Sequence, residues 1–218
     1  MNYFTLPFLI CLLFFGCSTE KNKTNTENPQ QSNINDSEPK ILYTAPAAAT
    51  VKWTAFKHSK KVPVNGQFDS IFFTGFNDSS SVSNALKGVT FELFTSSTNT
   101  NDKSRDYKII NHFFGVLLNP LSIKGKIEEI SGTNNGVGSL LLEMNGKQKR
   151  QPFSWSIDDY NEFFLKAELN VLDWDGKKAL ESLNKVCEAK HTGPNDAESI
   201  LWPTVEVIVL SKLQEIGV

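Results

Sequence analysis

The strongest constraint on the fold is a two-residue alternation of apolar and polar side chains between Glu162 and Leu172. Successive side chains of a β-strand point to opposite faces, so this alternation predicts a strand with one buried and one exposed face. Shorter segments with the same period lie at 51–55, 68–72, 89–93 and 205–209. The residues on the predicted buried face of the longest segment are Phe163, Leu165, Ala167, Leu169 and Val171.

Turn residues divide the middle of the chain into hairpins. The turn 132–136 joins predicted strands at 123–130 and 137–144, and Asn145-Gly146 leads into 148–157, since Asn-Gly is a strong hairpin signal. Two segments, 102–114 and 176–190, have helical character instead, and the second is amphipathic. Helices that do not alternate with strands argue against a parallel α/β fold. About eight strands at short spacing predict an all-β fold, an antiparallel barrel or sandwich with two short helices.

An apolar run occupies residues 1–16 and ends at Cys17. A membrane-spanning helix needs about 20 apolar residues, so the length suits the apolar region of a secretory signal peptide better. Gly16-Cys17 resembles a bacterial lipoprotein box, in which a small residue precedes a cysteine that becomes lipidated. We therefore expect a lipoprotein signal peptide over residues 1–16 and lipid attachment at Cys17. An ordinary signal peptide and an uncleaved anchor are the alternatives.

The segment that follows Cys17 is polar. From Ser18 to Lys40 it is rich in Ser, Thr, Asn, Glu, Lys and Pro and offers only Ile34 for burial. Such a composition cannot offset the entropy of ordering, so it predicts a disordered tether over residues 17–45. Residues 46–218 are long enough for one domain with a sizeable core. Once the leader is removed and Cys17 is lipidated, Cys187 has no partner, so no internal disulfide is expected.

Charge and motif content argue against nucleic-acid binding and against catalysis. The net charge is −2, from 22 basic and 24 acidic residues, and the only basic cluster, 57–61, is short enough to be a solvated turn. The chain has no Gly-x-Ser-x-Gly motif and no phosphate-binding glycine loop. His58, His112 and His191 lie far apart in sequence, so a metal site has no local support. We expect no enzyme activity, cofactor or metal. Two alternatives stay open: a metal site assembled in space from His58 or His112 with carboxylates, and a hydrolase or isomerase site formed by residues distant in sequence.

Residues 97–114 carry an ordered set of signals that resembles the YceI-like, or polyisoprenoid-binding, family. The matching positions are Ser97-x-x-Thr100, Arg105-Asp106 and Phe113-Phe114, with His58, Gly66-x-Phe68 and Trp202-Pro203-x-Val205 elsewhere. The resemblance extends over roughly residues 50–210. It implies a lipocalin-like β-barrel that holds a long apolar lipid.

The resemblance also implies that apolar side chains line a lumen and that polar side chains form its mouth. Core packing is the alternative role for each aromatic residue. Taken together with the lipid attachment expected at Cys17, the resemblance predicts a protein anchored in the bacterial cell envelope, on the periplasmic or outer-membrane side, that holds a polyisoprenoid or other long-chain amphiphile. The alternative is a surface lipoprotein whose packed barrel is a scaffold for binding a protein or peptide. Candidate lumen residues are Trp53, Phe68, Phe72, Phe91, Phe113, Phe163 and Leu165, and candidate mouth residues are Arg105, Asp106, Lys108 and His112.

Overall fold

The computed structural model describes residues 41–217; the predicted signal peptide, Cys17 and the tether up to residue 40 lie outside this range. The described chain is mainly β-structure with short helices. The strands are β1 (Ile41–Thr44), β2 (Ala49–Lys57), β3 (Val62–Phe68), β4 (Ile71–Thr74), β5 (Thr90–Phe94), β6 (Thr98–Asn99), β7 (Ser122–Gly132), β8 (Asn135–Met144), β9 (Lys147–Ile157), β10 (Glu162–Asn170), β11 (Leu201–Lys212) and β12 (Gln214–Gly217). The helices are α1 (Val82–Leu86), α2 (Lys103–Lys108), α3 (Lys177–Val186) and α4 (Glu188–His191).

Ten of these strands form one curled antiparallel sheet, in the order β4-β5-β7-β8-β9-β10-β11-β2-β3-β6. The strands at the two ends of this order, β4 and β6, are each continuous in sequence with another strand of the sheet. β4 follows β3 after two residues, and β6 follows β5 after a short 3-10 turn. The backbone bonds from Asp69 N to Ser97 O (3.0 Å) and from Phe94 N to Ser70 O (3.3 Å) bridge the gap between the β3–β6 and β4–β5 pairs. The sheet therefore closes on itself. The predicted antiparallel all-β fold is confirmed, and with β3–β4 and β5–β6 each counted as one bent strand, the ten strands become the expected eight.

Sequence alternation explains why the longest strands fit this sheet. In β10, Phe163, Leu165 and Ala167 are buried inside, while Glu162, Lys166 and Glu168 are exposed. The strand pairs with β11 along its whole length and with β9 over four residues. Burying one face of this strand therefore fixes its register with both neighbours, β9 and β11, because a one-residue slip would turn the apolar set outward.

Helical segments cover one end of the barrel. Asp102 is the N-cap of α2 and its side chain accepts hydrogen bonds from the backbone N of Ser104 and Arg105. After α2 the chain continues through a π-helical turn, Ile109–Phe113, and a 3-10 turn, Phe114–Val116. The amphipathic α3 packs against this region. Among the described helices, none has both the length and the apolar character needed to cross a membrane.

Two features differ from the sequence-based expectation. Residues 41–44, predicted to end the disordered tether, form β1 and pair with β12, so regular structure begins before residue 46. The short α1 was not predicted, because its Ser- and Asn-containing sequence has too few residues to show a helical period. Its Leu86 is buried in the core.

Candidate functional site

The interior of the barrel contains an apolar void, which we call the inner cavity. Its volume is about 170 Å³. Phe163, Leu165 and Ala167 of β10 line it together with Val207 and Val209 of β11. Its polar lining residues, Gln151 and Ser211, already donate hydrogen bonds to the backbone oxygens of Pro152 and Glu168 and of Ala48, respectively. The inner cavity therefore offers apolar contact rather than polar recognition.

A second void, the outer cavity, lies between the inner cavity and the helical end of the barrel. Its volume is about 130 Å³, and its walls include Phe113 and Leu183 from the helical segments. The two cavities share wall residues, which makes them neighbours in one lumen. The shared residues are Phe68, Ile123, Met144, Leu169 and Val207.

Two smaller voids lie beyond the outer cavity, on the side of the helical segments. The neck, about 60 Å³, shares Trp53, Ile109 and Leu183 with the outer cavity. The mouth, about 80 Å³, shares Val64 and Cys187 with the neck. Each of the four voids thus shares wall residues with the next, in an order that runs from the barrel interior to the mouth.

Strand β2 shows how this series runs along the barrel. Ala49 and Val51 line the inner cavity, Trp53 and Ala55 line the outer cavity, and Lys57 lines the mouth. All five are odd-numbered, so they lie on one face of the strand. At about 3.4 Å per residue, the path from Ala49 to Lys57 is about 27 Å long.

Glycines opposite two aromatic residues widen the lumen. Trp53 pairs with Gly66 on β3, and Phe91 of β5 pairs with Gly125 on β7. A Cβ atom at either glycine would overlap the paired aromatic ring. The rings therefore lie flat against the neighbouring strand, in space that any other side chain would occupy.

Most predicted lumen residues lie on the lumen. Phe163, Leu165 and Phe91 line the inner cavity, and Phe68 lines both cavities. Trp53 and Phe113 line the outer cavity. The Trp53 Nε1 is buried and has no acceptor among the described residues, which leaves an unsatisfied donor beside the neck.

The prediction that Phe72 faces the lumen is wrong. Its side chain is 63% exposed and packs edge-on against Phe94 outside the barrel. The two residues between β3 and β4 shift the alternation by one, so that Phe68, Ile71 and Phe73 point inward. The period-two rule therefore does not hold across this break, which the sequence does not mark with Gly or Pro.

The predicted mouth residues separate into two groups. Arg105 and Lys108 line the mouth and the neck. Asp106 does not, because its buried Oδ1 accepts hydrogen bonds from the N and Oγ1 of Thr100, both at 2.7 Å. His112 is half-buried and lies outside both cavities, the neck and the mouth. Asp106 therefore has a structural role in fixing the start of α2.

Three basic residues of the mouth were not identified from the sequence as site residues. Lys57 was interpreted as part of a solvated turn, and Lys190 and His191 carry no local motif. The Lys57 Nζ donates to the Lys190 backbone oxygen (2.9 Å) across 133 residues of sequence. Only the closure of the barrel brings these residues together.

His191 is buried at the mouth and its ring Nδ1 lies 2.8 Å from Asn184 Oδ1. Burial, together with the positive charges of Lys57, His58 and Lys108, lowers the pKa of His191 to about 4. At neutral pH the imidazole is therefore uncharged. Within residues 41–217, no three His, Cys, Asp or Glu side chains form a group that could hold a metal ion.

Two solved structures have the same fold. One is a polyisoprenoid binding domain from Saccharophagus degradans implicated in plant cell wall breakdown, with a TM-score of 0.53, 10% identity and coverage of 81% of this chain and 99% of that chain. The other is BcnA from Burkholderia cenocepacia, with a TM-score of 0.54, 11% identity and coverage of 76% and 96%. No protein-family model matches the chain, and neither does any curated protein. The likeness confirms the lipocalin-like fold that the sequence resemblance implies.

Proposed function

We propose that this protein binds a polyisoprenoid or another long-chain amphiphile in the lumen of its barrel. The observation that carries the proposal is the series of voids, apolar inside and charged at the mouth. A ligand with a long apolar chain and one polar end matches that order. An amphiphile would place its chain in the two cavities and its polar end at the mouth.

The apolar lining supplies the driving force. Removing apolar surface from water contributes about 25 cal/mol per Å², so affinity grows with the length of chain that the lumen covers. An apolar cavity of about 150 Å³ can stay dry and bind benzene, and the inner cavity, at about 170 Å³, is in that range. The packed-scaffold alternative requires a filled interior, and the inner cavity disfavours it.

The fold supports the same proposal. A domain with this fold is described as polyisoprenoid binding. Because a fold alone does not determine function, this support is secondary to the cavities.

We further propose that lipidation of Cys17 attaches the protein to the bacterial cell envelope. The support is the apolar run that ends at Gly16-Cys17 and the polar segment after it. A barrel held at a membrane surface would remain close to a source of apolar ligands.

Solvent extraction and mass spectrometry of the purified whole chain test the lipid-binding proposal. We expect a long-chain amphiphile at near-stoichiometric amounts. After delipidation, the neutral probe N-phenyl-1-naphthylamine should gain fluorescence on binding and should be displaced by farnesol. A protein with neither extractable lipid nor displaceable probe would contradict the proposal and favour the packed scaffold.

A further inference from the structure

The connections between strands lie at the two ends of the barrel, and the two ends differ in charge. Because neighbouring strands are antiparallel, alternate connections lie at the same end. With one flanking strand residue on each side, the segments at the mouth end carry eleven Lys and Arg and eight Asp and Glu, whereas those at the opposite end carry two and five. The mouth-end segments are 57–62, 99–122, 144–147 and 170–201, and the opposite-end segments are 41–49, 74–90, 132–135, 157–162 and 212–217. The mouth end is therefore positive and the opposite end negative.

The mouth end also carries an exposed apolar loop. Residues 116–121, which we call the leucine loop, begin at the end of the 3-10 turn Phe114–Val116 and lead into β7. Val116, Leu118 and Leu121 are 47%, 69% and 76% exposed. Apolar residues scattered singly over a surface need no explanation, but three within six residues form a local patch. The leucine loop is therefore a candidate surface for contact with another apolar phase.

Hydrogen bonds from its backbone hold the leucine loop against the end of the barrel. The backbone N of Leu118 donates to Asn145 Oδ1 in the β8–β9 turn (2.7 Å). The backbone oxygen of Leu121 accepts from the backbone N of Thr95 (3.1 Å). Asn145 also donates to the backbone oxygen of Trp174 (2.7 Å), which connects the loop to the segment before α3. These polar backbone groups are satisfied within the protein, while the leucine side chains stay exposed.

Lysines lie close to the leucine loop. Lys147 follows the β8–β9 turn, and Lys177 and Lys178 begin α3, which packs against the 3-10 turn before the loop. Among the described residues, Lys178 has no carboxylate within 4.0 Å, whereas Lys147 and Lys177 pair with Asp175 and Glu181 on the exposed surface. Exposed ion pairs are weak, so a negatively charged surface can compete with them. Exposed apolar side chains beside lysines are typical of segments that enter the interface of an anionic membrane.

We propose that the mouth end of the barrel docks on an anionic membrane surface, with the side chains of Val116, Leu118 and Leu121 inserted at the level of the lipid headgroups. The opposite charges of the two ends orient the barrel with the leucine loop toward such a surface. Docking in this orientation brings the mouth next to the membrane. The inference goes beyond the lipid-binding proposal, because it concerns the surface on which the barrel would collect or release a ligand.

The position of β1 explains why an anchor alone would not produce this orientation. The chain enters the barrel at the end opposite the mouth, where β1 pairs with β12. An anchor at Cys17 would therefore hold the barrel by its negative end. The 24 residues from Cys17 to Ile41 can span at most about 80 Å when extended, which is longer than the lumen path of about 27 Å. Anchoring at Cys17 is thus compatible with docking through the mouth end, but the leucine loop has to supply the orientation.

Quenching of tryptophan fluorescence by brominated lipids tests the docking. Leu118→Trp places a tryptophan in the leucine loop, and Val137→Trp places one at a 63% exposed position near the opposite end. The purified whole chain of each variant is mixed with vesicles of phosphatidylglycerol and phosphatidylethanolamine, with and without bromine on the acyl chains. We expect Leu118→Trp to be quenched more than the wild-type protein, whose four tryptophans set the background, and Val137→Trp to show no added quenching.

Matched charge variants, each combined with Leu118→Trp, test the role of the lysines. Lys177→Gln/Lys178→Gln should raise the vesicle concentration needed for half-maximal quenching by about tenfold or more, because each lysine near an anionic surface contributes to binding. Lys87→Gln/Lys212→Gln removes the same charge at the opposite end and should leave this concentration unchanged. High salt should weaken the quenching.

Three results would overturn the proposal, and none of them concerns ligand binding in the lumen. Absent or equal added quenching of Leu118→Trp and Val137→Trp would exclude docking through the leucine loop. Equal quenching in vesicles of phosphatidylcholine alone would exclude a role for the anionic surface. Without vesicles, a blue-shifted emission of Leu118→Trp that returns to longer wavelength on dilution would show that a second copy of the chain covers the loop.

Discussion

Filling the inner cavity with a larger side chain should stabilise the empty protein and weaken lipid binding. Ala167 lines this cavity from β10 and is only 7% exposed. Ala167→Leu adds three carbon atoms, worth up to about 2.4 kcal/mol at about 0.8 kcal/mol each if all become buried. Loss of rotamer freedom for the leucine costs about 0.5–1 kcal/mol. The free energy of unfolding should therefore rise by about 1–2 kcal/mol.

The same substitution at a filled position provides the control. Ala179 in α3 is 1% exposed and lines none of the four voids. Adding carbon atoms to a packed site typically costs about 1–3 kcal/mol, so Ala179→Leu should be destabilising.

Urea denaturation of delipidated protein, followed by tryptophan fluorescence, measures both variants. Extraction and mass spectrometry measure the lipid that each retains. Ala167→Leu should raise the urea midpoint and lower the retained lipid. If Ala167→Leu destabilised the protein as much as Ala179→Leu does, the interior would be filled already, and the reasoning from the cavity would be wrong.

Three further predictions concern other parts of the chain. Asp106→Ala should lower the free energy of unfolding, measured by urea denaturation, by at least about 2 kcal/mol, because it leaves the backbone N and Oγ1 of Thr100 without their shared acceptor. A change below about 0.5 kcal/mol would contradict the structural role of Asp106. Between pH 6.5 and about 4, the unfolded chain should bind more protons at His191 than the folded chain does, so the free energy of unfolding should fall as the pH falls. His191→Gln should weaken this pH dependence, and an identical pH profile for the variant and the wild-type protein would refute the role of His191. Cys17→Ala should release the protein from the membrane fraction or leave it unprocessed, as fractionation and mass spectrometry would show. A variant that is processed and partitions like the wild-type protein would contradict lipidation at Cys17.

The local pattern of apolar and polar residues is sufficient to predict the strands that are regular along their whole length. The alternation from Glu162 to Leu172 gave both the strand and the side chains that face the lumen, because β10 continues without a break through Asn170. The same rule failed at Phe72, where two residues between β3 and β4 reverse the alternation. A short irregularity of this kind depends on how the sheet bends, and the pattern of apolar residues does not record it.

The mouth could be predicted only in part, for a related reason. Arg105 and Lys108 were identified because they lie in a motif, on one short helix. Lys57 and Lys190 join them through backbone contacts between distant segments, and no pattern in either segment predicts that contact. The role of Asp106 was missed for a different reason, because its partner is the backbone and hydroxyl of Thr100 rather than the adjacent Arg105.

The pairing of aromatic rings with glycines has a consequence for how ligand size could be altered. In most barrels the bore depends on strand number and stagger, which a point mutation cannot change. Here the width of the lumen also depends on the absence of a side chain at Gly66 and Gly125. At each glycine, the aromatic ring of the adjacent strand packs against the glycine backbone and away from the barrel axis. Alanine at either position would push that ring toward the barrel axis. The internal width of this barrel can thus be changed separately at two positions, near Trp53 for the outer cavity and near Phe91 for the inner cavity, while the arrangement of strands stays the same.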